Sequence, residues 1–169
     1  MGYGNVRGDG YRRGRQDEFG QPILGKTATQ CRRCRAENET LPHVFGSCPY
    51  GESLRRARHD KLKHRLTALL TKQGLHCQEE VHCTDENGSI RFIDIVAIDP
   101  NSSQAFIIDP TIRYETNSDI GKEVQEEKER LYAGCADSLN AKFAPRFGHR
   151  DYQVIGLWMG ARGTVSEGL

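Results

Sequence analysis

The stretch RFIDIVAIDPNSSQAFIIDPTIRYE, residues 91–115, contains two runs rich in isoleucine, valine and phenylalanine, joined by the turn signal PNSS. The composition and length of both runs predict buried β-strands. Each predicted strand carries an aspartate in its interior, Asp94 in the first and Asp109 in the second. A carboxylate among apolar side chains is costly unless a cation or a hydrogen-bond donor compensates for it. The partner of these two aspartates is therefore a clue to function.

An antiparallel pair of strands turning at residues 101–103 would bring Asp94 and Asp109 close to opposite each other. Two neighbouring carboxylates repel unless a cation lies between them or one of them is protonated. A divalent ion such as Mg²⁺ binds carboxylates together with water, and such ions promote phosphodiester cleavage in nucleases. The alternative is a structural ion pair, in which one aspartate binds an arginine such as Arg91 or Arg113.

The remaining periodicities predict a helix, three strands, a second helix and a last strand. Leucines at helical spacing on a basic background indicate the first helix, with Ser53 as its N-cap and Gly74 after its end. The Asn87-Gly88 pair indicates a hairpin turn between the first two strands. The expected elements are a flexible or extended lead-in over residues 1–24, a helix over 53–73, strands over 75–83, 89–99 and 104–115, a helix over 118–142, a loop over 144–151 and a strand over 152–160.

Composition limits the classes of protein to which the chain can belong. The 169 residues are 36% hydrophobic and 28% charged, enough for one moderate domain with a small appendage. No apolar run approaches the roughly 20 residues that span a bilayer, so we expect no membrane partner. Residues 1–75 hold 15 Lys and Arg against 7 Asp and Glu, and residues 76–169 hold 9 against 16. A polyanion-binding first half would explain this asymmetry, and so would two differently solvated surfaces.

A compact Cys/His segment, CRRCRAENETLPHVFGSC, covers residues 31–48 with the spacing C-x2-C-x8-H-x4-C. Zinc prefers four thiolate or imidazole ligands in a tetrahedron, and a two-residue gap lets both thiolates of one turn reach the same ion. The predicted zinc ligands are Cys31, Cys34, His43 and Cys48. Arg32, Arg33 and Arg35 lie between and beside these ligands, where they would suit phosphate contacts or simply form a solvated face.

A second cluster, His76-Cys77 with His82-Cys83, has the composition of a metal site but not the expected geometry. On an alternating strand the two histidines would share one face and the two cysteines the other, so the four side chains would not converge. We therefore interpret these residues as structural, and Cys135 as a packing residue of the second helix.

The element order αβββαβ, with FID in one strand and IID in the next, resembles the restriction-endonuclease-like fold of the PD-(D/E)xK nucleases. From about residue 25 onward, the chain resembles the C-terminal end of the polyprotein of type-two, ribosomal-DNA-inserting non-LTR retrotransposons. The motifs that carry this resemblance are CRRC, ETLPHVFGSC, RRARHDKL, FIDIVAID, IIDPTIRYE, the pair Lys128 and Tyr132, and a terminal GARGT. It implies an α/β fold with a lead-in at 1–24, a CCHC zinc knuckle at 25–52, an endonuclease domain at 53–162 and a tail at 163–169.

The resemblance implies roles for individual residues. Asp94 matches the aspartate of the PD element, and Asp109 matches the second metal-binding acid. Two departures stand out: Phe92-Ile93 replaces a basic residue and proline, and Thr111 replaces the lysine of the ExK form. The catalytic lysine is then expected on the following helix, with Lys128 as the first candidate and Lys122 as the second. A further Mg²⁺ ligand is expected from the first strand, either Glu80, which we favour, or Glu79. The residues expected to bind nucleic acid are Arg32, Arg33, Arg35, Arg55, Arg56, Arg58, Lys61 and Lys63.

By the same resemblance, the chain is expected to be a DNA endonuclease that uses Mg²⁺ or Mn²⁺ and carries a structural Zn²⁺. Its nick in ribosomal DNA would free a 3′-hydroxyl that primes reverse transcription. The expected partners are double-stranded target DNA, the element's RNA and the rest of its own polyprotein, and the expected location is the nucleus. No YxDD-type polymerase motif is present, so reverse transcription is expected of a missing N-terminal portion. The rival interpretations are an inactive nucleic-acid-binding module and a metal-stabilised protein-interaction domain.

Overall fold

The structure is a computed structural model that describes residues 30–115 and 117–164, so the predicted lead-in at 1–24 lies outside the described residues. Two short helical turns, His43–Ser47 and Pro49–Gly51, precede the main elements. The main elements are α1 (Glu52–Lys72), β1 (His76–Thr84), β2 (Ile90–Ile98), β3 (Gln104–Arg113), α2 (Ile120–Tyr132), α3 (Ala136–Phe147) and β4 (Asp151–Gly160). None of the described helices combines the length and apolar character needed to cross a membrane.

The four strands form one sheet in the order β1-β2-β3-β4. β1, β2 and β3 are joined by hairpins and pair antiparallel, whereas β4 returns parallel to β3. The predicted hairpin turn is confirmed: Gly88 has a φ of +77°, and the Asp85 carboxylate accepts hydrogen bonds from the backbone N–H groups of Asn87 and Ser89. A positive φ at the second residue of the turn is the reason that Asn-Gly favours this hairpin.

Helices cover both faces of the sheet. On one face, Leu66 and Leu70 of α1 pack against Ile95, Ala97 and Ile108. The opposite face is covered by α2 and α3, whose contributions to the main core are Tyr132, Leu139 and Phe143. The sheet is therefore buried between layers, which explains the nearly continuous apolar runs of β2 and β3.

The second predicted helix is in fact two helices. The chain leaves the helical conformation at Ala133, and Gly134 adopts a φ of +77°, which is favourable for glycine and ends α2. α3 then continues to Phe147, through residues 144–147 that were expected to form a loop, and it includes Pro145. Phe147 packs against the same core cluster as Phe143, one turn earlier, so burial of this apolar face outweighs the cost of a proline near the helix end.

The start of α1 also differs from the prediction. The helix begins at Glu52, and the N-cap position is Gly51 rather than Ser53, with no side chain capping the first turn. The 3₁₀ turn at Pro49–Gly51 leads directly into the helix, and the Arg55 guanidinium donates a 2.8 Å hydrogen bond to the Cys48 carbonyl. The preceding Cys/His segment therefore defines the beginning of the helix.

Side-chain alternation breaks at one level of the sheet, at Glu80 of β1 and Asp94 of β2, which lie between the paired residues Glu79–Ile95 and Val81–Ile93. Ile93 packs with the α2–α3 face and Ile95 with the α1 face, although strict alternation would place them on the same side. Glu80 has a φ of +52°, a left-handed conformation that is uncommon for a residue with a side chain. Because functional sites often retain such backbone strain, this level of the sheet is a candidate for function.

The same break corrects the analysis of the second Cys/His cluster. Cys77 packs on the α1 face and Cys83 on the α2–α3 face, so the two cysteines do not share a face as predicted. His76 stacks on Phe147, whereas His82 contacts Phe92. The four residues do not converge, and none of them belongs to a potential metal cluster in the described part of the chain.

A close approach of α2 to the edge strand β4 depends on Gly156. A Cβ at this position would lie 3.0 Å from the Gln125 Cα and from the Val124 carbonyl oxygen. The Gln125 side-chain amide clamps the strand: it donates to the Val154 carbonyl at 2.9 Å and accepts from the Gly156 N–H at 2.7 Å. This contact fixes the position of α2 along the sheet, and with it the positions of Lys128 and Tyr132.

Candidate functional site

The four predicted zinc ligands come together in the structure. One ligand atom from each of Cys31, Cys34, His43 and Cys48 lies within 4.8 Å of the others, and no other such group occurs among the described residues. The first pair is shaped by a tight turn, in which the Arg35 N–H donates to the Cys31 carbonyl at 2.8 Å and Arg35 has a φ of +56°. Cys48 follows the short helical turn that carries His43.

Hydrogen bonds orient His43 for ligation. Its Nδ1 lies 2.8 Å from the Glu37 carboxylate, which accepts the ring proton, so the lone pair remains on Nε2. That Nε2 atom lies 3.2 Å from the Cys34 Sγ. A carboxylate behind the remote nitrogen is the usual support of a zinc-bound histidine.

The thiols have the electrostatic environment of a metal site. Backbone N–H groups of Cys34 and Arg33 lower the pKa of the Cys31 thiol to about 6, so it ionises readily. Burial raises the pKa of the Cys48 thiol, which would need a cation to ionise. Three soft sulfur donors and one imidazole, with no competing carboxylate ligand, fit Zn²⁺ in a closed tetrahedral site. The Cys/His cluster could therefore hold a metal such as zinc.

Asp94 and Asp109 lie at a fork in the sheet. The pairing of β2 with β3 ends at Ile95 and Ile108, and the two aspartates are the next residue on each strand. Beyond this point β2 stays paired with β1, and β3 continues along β4. Pro110 follows Asp109 at once and has no N–H to offer a neighbouring strand, so it suits a position where pairing ends.

Two residues of α2 hold the Asp109 carboxylate, which is buried. The Lys128 ammonium lies 3.0 Å from Oδ2, and the Tyr132 hydroxyl donates to the same oxygen at 2.6 Å. Burial and the charge of Asp109 raise the pKa of Tyr132, so the hydroxyl keeps the proton that it donates. Thr111 donates a longer bond of 3.3 Å to Oδ1.

Asp94 faces α1 and is only partly buried, with 20% of its side chain exposed. Its Oδ2 lies 3.2 Å from the His59 Nε2. Burial, followed by the charge of Asp109, raises the pKa of Asp94, and the positive charges of His59 and Lys63 oppose this rise. The two aspartates therefore influence each other electrostatically, as the fork geometry predicts.

Glu80, at the break in alternation, forms an ion pair with Lys63 of α1. The Lys63 side chain is almost completely buried. Burial alone would lower the pKa of Lys63, but the hydrogen bond and charge of Glu80 raise it. Glu79, the alternative to Glu80, lies 2.7 Å from His64 Nδ1 instead. Asp94, Asp109 and Glu80 do not form a cluster of potential metal ligands of the kind that the Cys/His residues form in the described part of the chain.

Neither arginine that we considered as a structural partner contacts the two aspartates. Arg91 binds Asp85 at 2.7 Å, and Arg113 binds Glu127 at 2.7 Å. The cations that compensate for the aspartates come from the helices on either side of the sheet. Lys122, the second candidate for a catalytic lysine, is 80% exposed at the side chain and lies near Glu126 rather than near the fork.

The basic residues predicted to bind nucleic acid separate into three groups by exposure. The exposed group is Arg32, Arg33, Arg35, Arg56 and Lys61. Arg55 and Arg58 are half-buried, because Arg55 binds the Cys48 carbonyl and Arg58 donates a 2.9 Å hydrogen bond to the Ala161 carbonyl. The structure also corrects the role expected of Lys63, whose buried ammonium neutralises an acid of the fork and does not face solvent.

The terminal GARGT motif is anchored to the end of β3. The Glu115 carboxylate accepts hydrogen bonds from the Arg162 N–H at 3.2 Å and from the Thr164 hydroxyl at 2.9 Å. Burial alone would raise the pKa of Glu115, but the hydrogen bonds from its own backbone, Thr164 and Arg162 lower it to about 2. This motif is therefore a structural tie between the sheet and the chain that follows it.

Sequence reasoning assigned no role to His59 or to the Tyr132 hydroxyl. Both residues stand in quoted motifs, and both have a helical spacing that could have revealed them. His59 and Lys63 are four residues apart on α1, and Lys128 and Tyr132 are four residues apart on α2, so each pair lies on one helix face. Thus α1 and α2 each present two polar side chains to the acidic residues of the sheet.

Comparison with known proteins gives the chain a context. The chain matches two proteins from Popillia japonica, each named Retrovirus-related Pol polyprotein from type-1 retrotransposable element R2. One is 30% identical over 136 residues, 79% of this chain and 27% of the relative. The other is 24% identical over 123 residues, 73% of this chain and 27% of the relative. The homologues of the present chain are therefore R2 retrotransposon Pol polyproteins. No protein-family model matches the chain.

The similarity to R2 Pol polyproteins supports the expectation of a retrotransposon protein. A match that covers 79% of the chain necessarily includes its central part, where Asp94, Asp109 and Lys128 lie. The similarity is therefore not confined to the Cys/His segment. The chain spans about a quarter of the length of the curated R2 relatives that it matches.

Proposed function

We propose that the chain is a metal-dependent DNA endonuclease with a restriction-endonuclease-like core, acting as the C-terminal part of a retrotransposon Pol polyprotein. The observation that supports this most strongly is the fork of β2 and β3. There, Asp109 is held by Lys128 and Tyr132 from one helix, and Asp94 is the corresponding residue of the neighbouring strand. A lysine beside two acids, at the point where two strands of the sheet separate, is suited to binding a metal ion and to offsetting charge on a phosphate.

In this proposal Asp94, Asp109 and Glu80 hold Mg²⁺ or Mn²⁺. Their carboxylate oxygens are the donors that such hard cations prefer. Bound there, the ion supplies Lewis-acid activation of water and offsets charge on the phosphate. The mutual repulsion of the two aspartates, which contributes to the raised pKa of Asp94, favours binding of a cation over leaving the site empty.

Lys128 has two tasks in the proposed reaction. Its ammonium holds the Asp109 carboxylate in one orientation, and it can position the attacking water and offset the charge of the phosphate. Tyr132, one turn further along α2, fixes the same carboxylate oxygen. Lys128 thereby replaces the ExK lysine, whose position is occupied by Thr111.

The zinc knuckle and the exposed face of α1 hold the nucleic acid in this proposal. Lys and Arg side chains that neutralise phosphates give affinity that falls with salt and carries little sequence information. Arg33, Arg35 and Lys61 are exposed and can make such contacts on the surface of the described chain, and so can Arg56, which is exposed although it also pairs with Glu52 at 3.5 Å. Arg55 serves them indirectly, because it fastens the knuckle to the helix.

The proposed biological setting rests on the family resemblance of the sequence. We propose that the target is double-stranded ribosomal DNA in the nucleus, and that the freed 3′-hydroxyl primes reverse transcription by the rest of the polyprotein from the element's RNA. The polymerase step belongs to the part of the polyprotein beyond this chain.

A nicking assay tests the endonuclease. The zinc-loaded chain is incubated with supercoiled plasmid and with ribosomal DNA, with and without Mg²⁺. Cleavage is expected only with the ion, and it should disappear in Asp94→Asn and in Asp109→Asn. Asp137→Asn, at an exposed position in the first turn of α3, is the matched control and should cleave normally. Cleavage that survives both fork substitutions would contradict the proposal.

One observation favours a second function, a nucleic-acid-binding module without nuclease activity. His59 and Lys128 already compensate for Asp94 and Asp109, so the fold has no need of an ion. The same assay separates the two functions. Salt-sensitive binding that survives Asp94→Asn and Asp109→Asn, in a wild-type chain that does not cleave at any Mg²⁺ concentration, would favour the binding module.

A further inference from the structure

An exposed apolar patch borders the fork. Phe92 of β2 is 61% exposed and Ile90 is 64% exposed, although both belong to a strand whose other end is buried. The Phe92 ring meets the exposed His82 ring edge to face, with the ring centroids 4.5 Å apart and the planes at 68°. An exposed phenylalanine supported by a second ring is a flat surface of the kind on which bases stack.

The position of this patch relative to the acids is set by the sheet. Phe92 precedes Asp94 by two residues on β2, a separation of about 7 Å along a strand. His82 is the cross-strand partner of Phe92. Asp94 contacts His59 of α1. The aromatic pair is thus an exposed apolar surface two residues along β2 from Asp94.

The Phe92 backbone is tied to the site. The Phe92 carbonyl oxygen lies 3.0 Å from the Tyr132 hydroxyl oxygen, which gives its single proton to the Asp109 carboxylate 2.6 Å away. One hydroxyl therefore bridges β2 and β3 where they separate. This contact fixes the position of the aromatic surface relative to Asp109. A residue that positions the substrate needs such a fixed position.

We propose that Phe92, supported by His82, stacks on an unpaired base next to the phosphate that the fork cleaves. A base inside a duplex cannot reach such a surface, so the favoured substrate is DNA with unstacked bases beside the cut. This inference rests on the proposed nuclease function and adds a substrate class to it.

The test compares two labelled DNAs: a fully paired duplex, and the same duplex with a short bulge that contains 2-aminopurine. Binding is measured without divalent ions, so that cleavage does not interfere. The wild-type chain is expected to bind the bulged DNA about 10-fold more tightly than the paired duplex and to quench the 2-aminopurine fluorescence. Phe92→Leu keeps the apolar bulk but loses the ring, and it should remove both effects. Phe92→Trp should retain them.

Ile90→Ala, in the same exposed patch but without a ring to lose, is the matched control and should bind like the wild type. Equal discrimination by wild type and Phe92→Leu would overturn the inference. So would a dimer in sedimentation that Phe92→Leu converts to a monomer, because the patch would then be a surface for a second copy of the chain. A parallel nicking assay keeps the two proposals distinct. If the wild type nicks DNA normally and Phe92→Leu has no effect on binding, only the stacking proposal is rejected. If the wild type does not nick DNA but its binding depends on the ring, only the nuclease proposal is rejected.

Discussion

Lys128 is the buried cation of the fork, and replacing it with methionine tests the reasoning about the site. The substitution keeps the length of the side chain but leaves the Asp109 carboxylate without the ammonium 3.0 Å away. The side chains of Lys128 and Asp109 are only 12% and 9% exposed, so solvent screens the pair weakly. At an effective dielectric constant of about 20, the lost attraction is roughly 5 kcal/mol.

The net effect on the free energy of unfolding is smaller than this attraction. Lys128→Met no longer has to dehydrate an ammonium, and the Tyr132 hydroxyl still donates to Asp109. Breaking a buried pair from one side usually costs several kcal/mol, so we expect a destabilisation of about 3 kcal/mol. With a slope of about 1.5 kcal/mol per M for a domain of this size, the urea midpoint should fall by about 2 M.

The assay is urea unfolding of the zinc-loaded chain, followed by tryptophan fluorescence and circular dichroism. Lys122→Met is the matched control on the same helix, because this side chain is 80% exposed and only 3.8 Å from Glu126, and its midpoint should change little. The double variant Lys128→Met with Asp109→Asn should recover at least half of the loss, since no unpaired charge remains. A Lys128→Met midpoint equal to that of the Lys122→Met control would refute the account of the fork.

Three further predictions follow from other parts of the molecule. Cys34→Ser should abolish binding of one zinc per chain, measured by a metal-sensitive dye on denaturation, whereas Cys77→Ser should retain the metal; retained zinc in the first variant would rule out the proposed ligand set. Gly156→Ala should destabilise the fold by about 1–3 kcal/mol in urea, because its Cβ would press on the backbone of α2, whereas Gly46→Ala, with nothing within 4 Å, should be neutral; equal effects would contradict this packing. The pKa of Glu115 is about 2, below its ordinary value of 4.5, so its ionised form contributes stability that is fully present above about pH 4.5 and is lost as the pH falls towards 2; Glu115→Gln should therefore be less stable than wild type at pH 7 but similar near pH 2, and a constant difference across this range would refute the assignment.

Much of the zinc site could be predicted from sequence because its ligands are close along the chain. Cys31 and Cys34 share one turn, and the short spacing to His43 and Cys48 leaves few ways to arrange the four side chains. The Asn87-Gly88 turn was predictable for the same reason, since the positive φ that it requires is a local property. The division into α2 and α3 was missed because Gly134 could have stood inside a helix, and only the packing of Phe143 and Phe147 defines two separate segments.

The sequence by itself determined the strands that carry Asp94 and Asp109, the turn that sets them side by side, and the soft donors of the Cys/His segment, because these depend on composition and short spacing. Only the tertiary structure decided which cations face the two acids. His59 is separated from Asp94, and Lys128 from Asp109, by many residues along the chain, and each helix could have presented another face to the sheet. The packing of α1 and α2 made that choice, through the burial of leucines on one side and the close approach at Gly156 on the other.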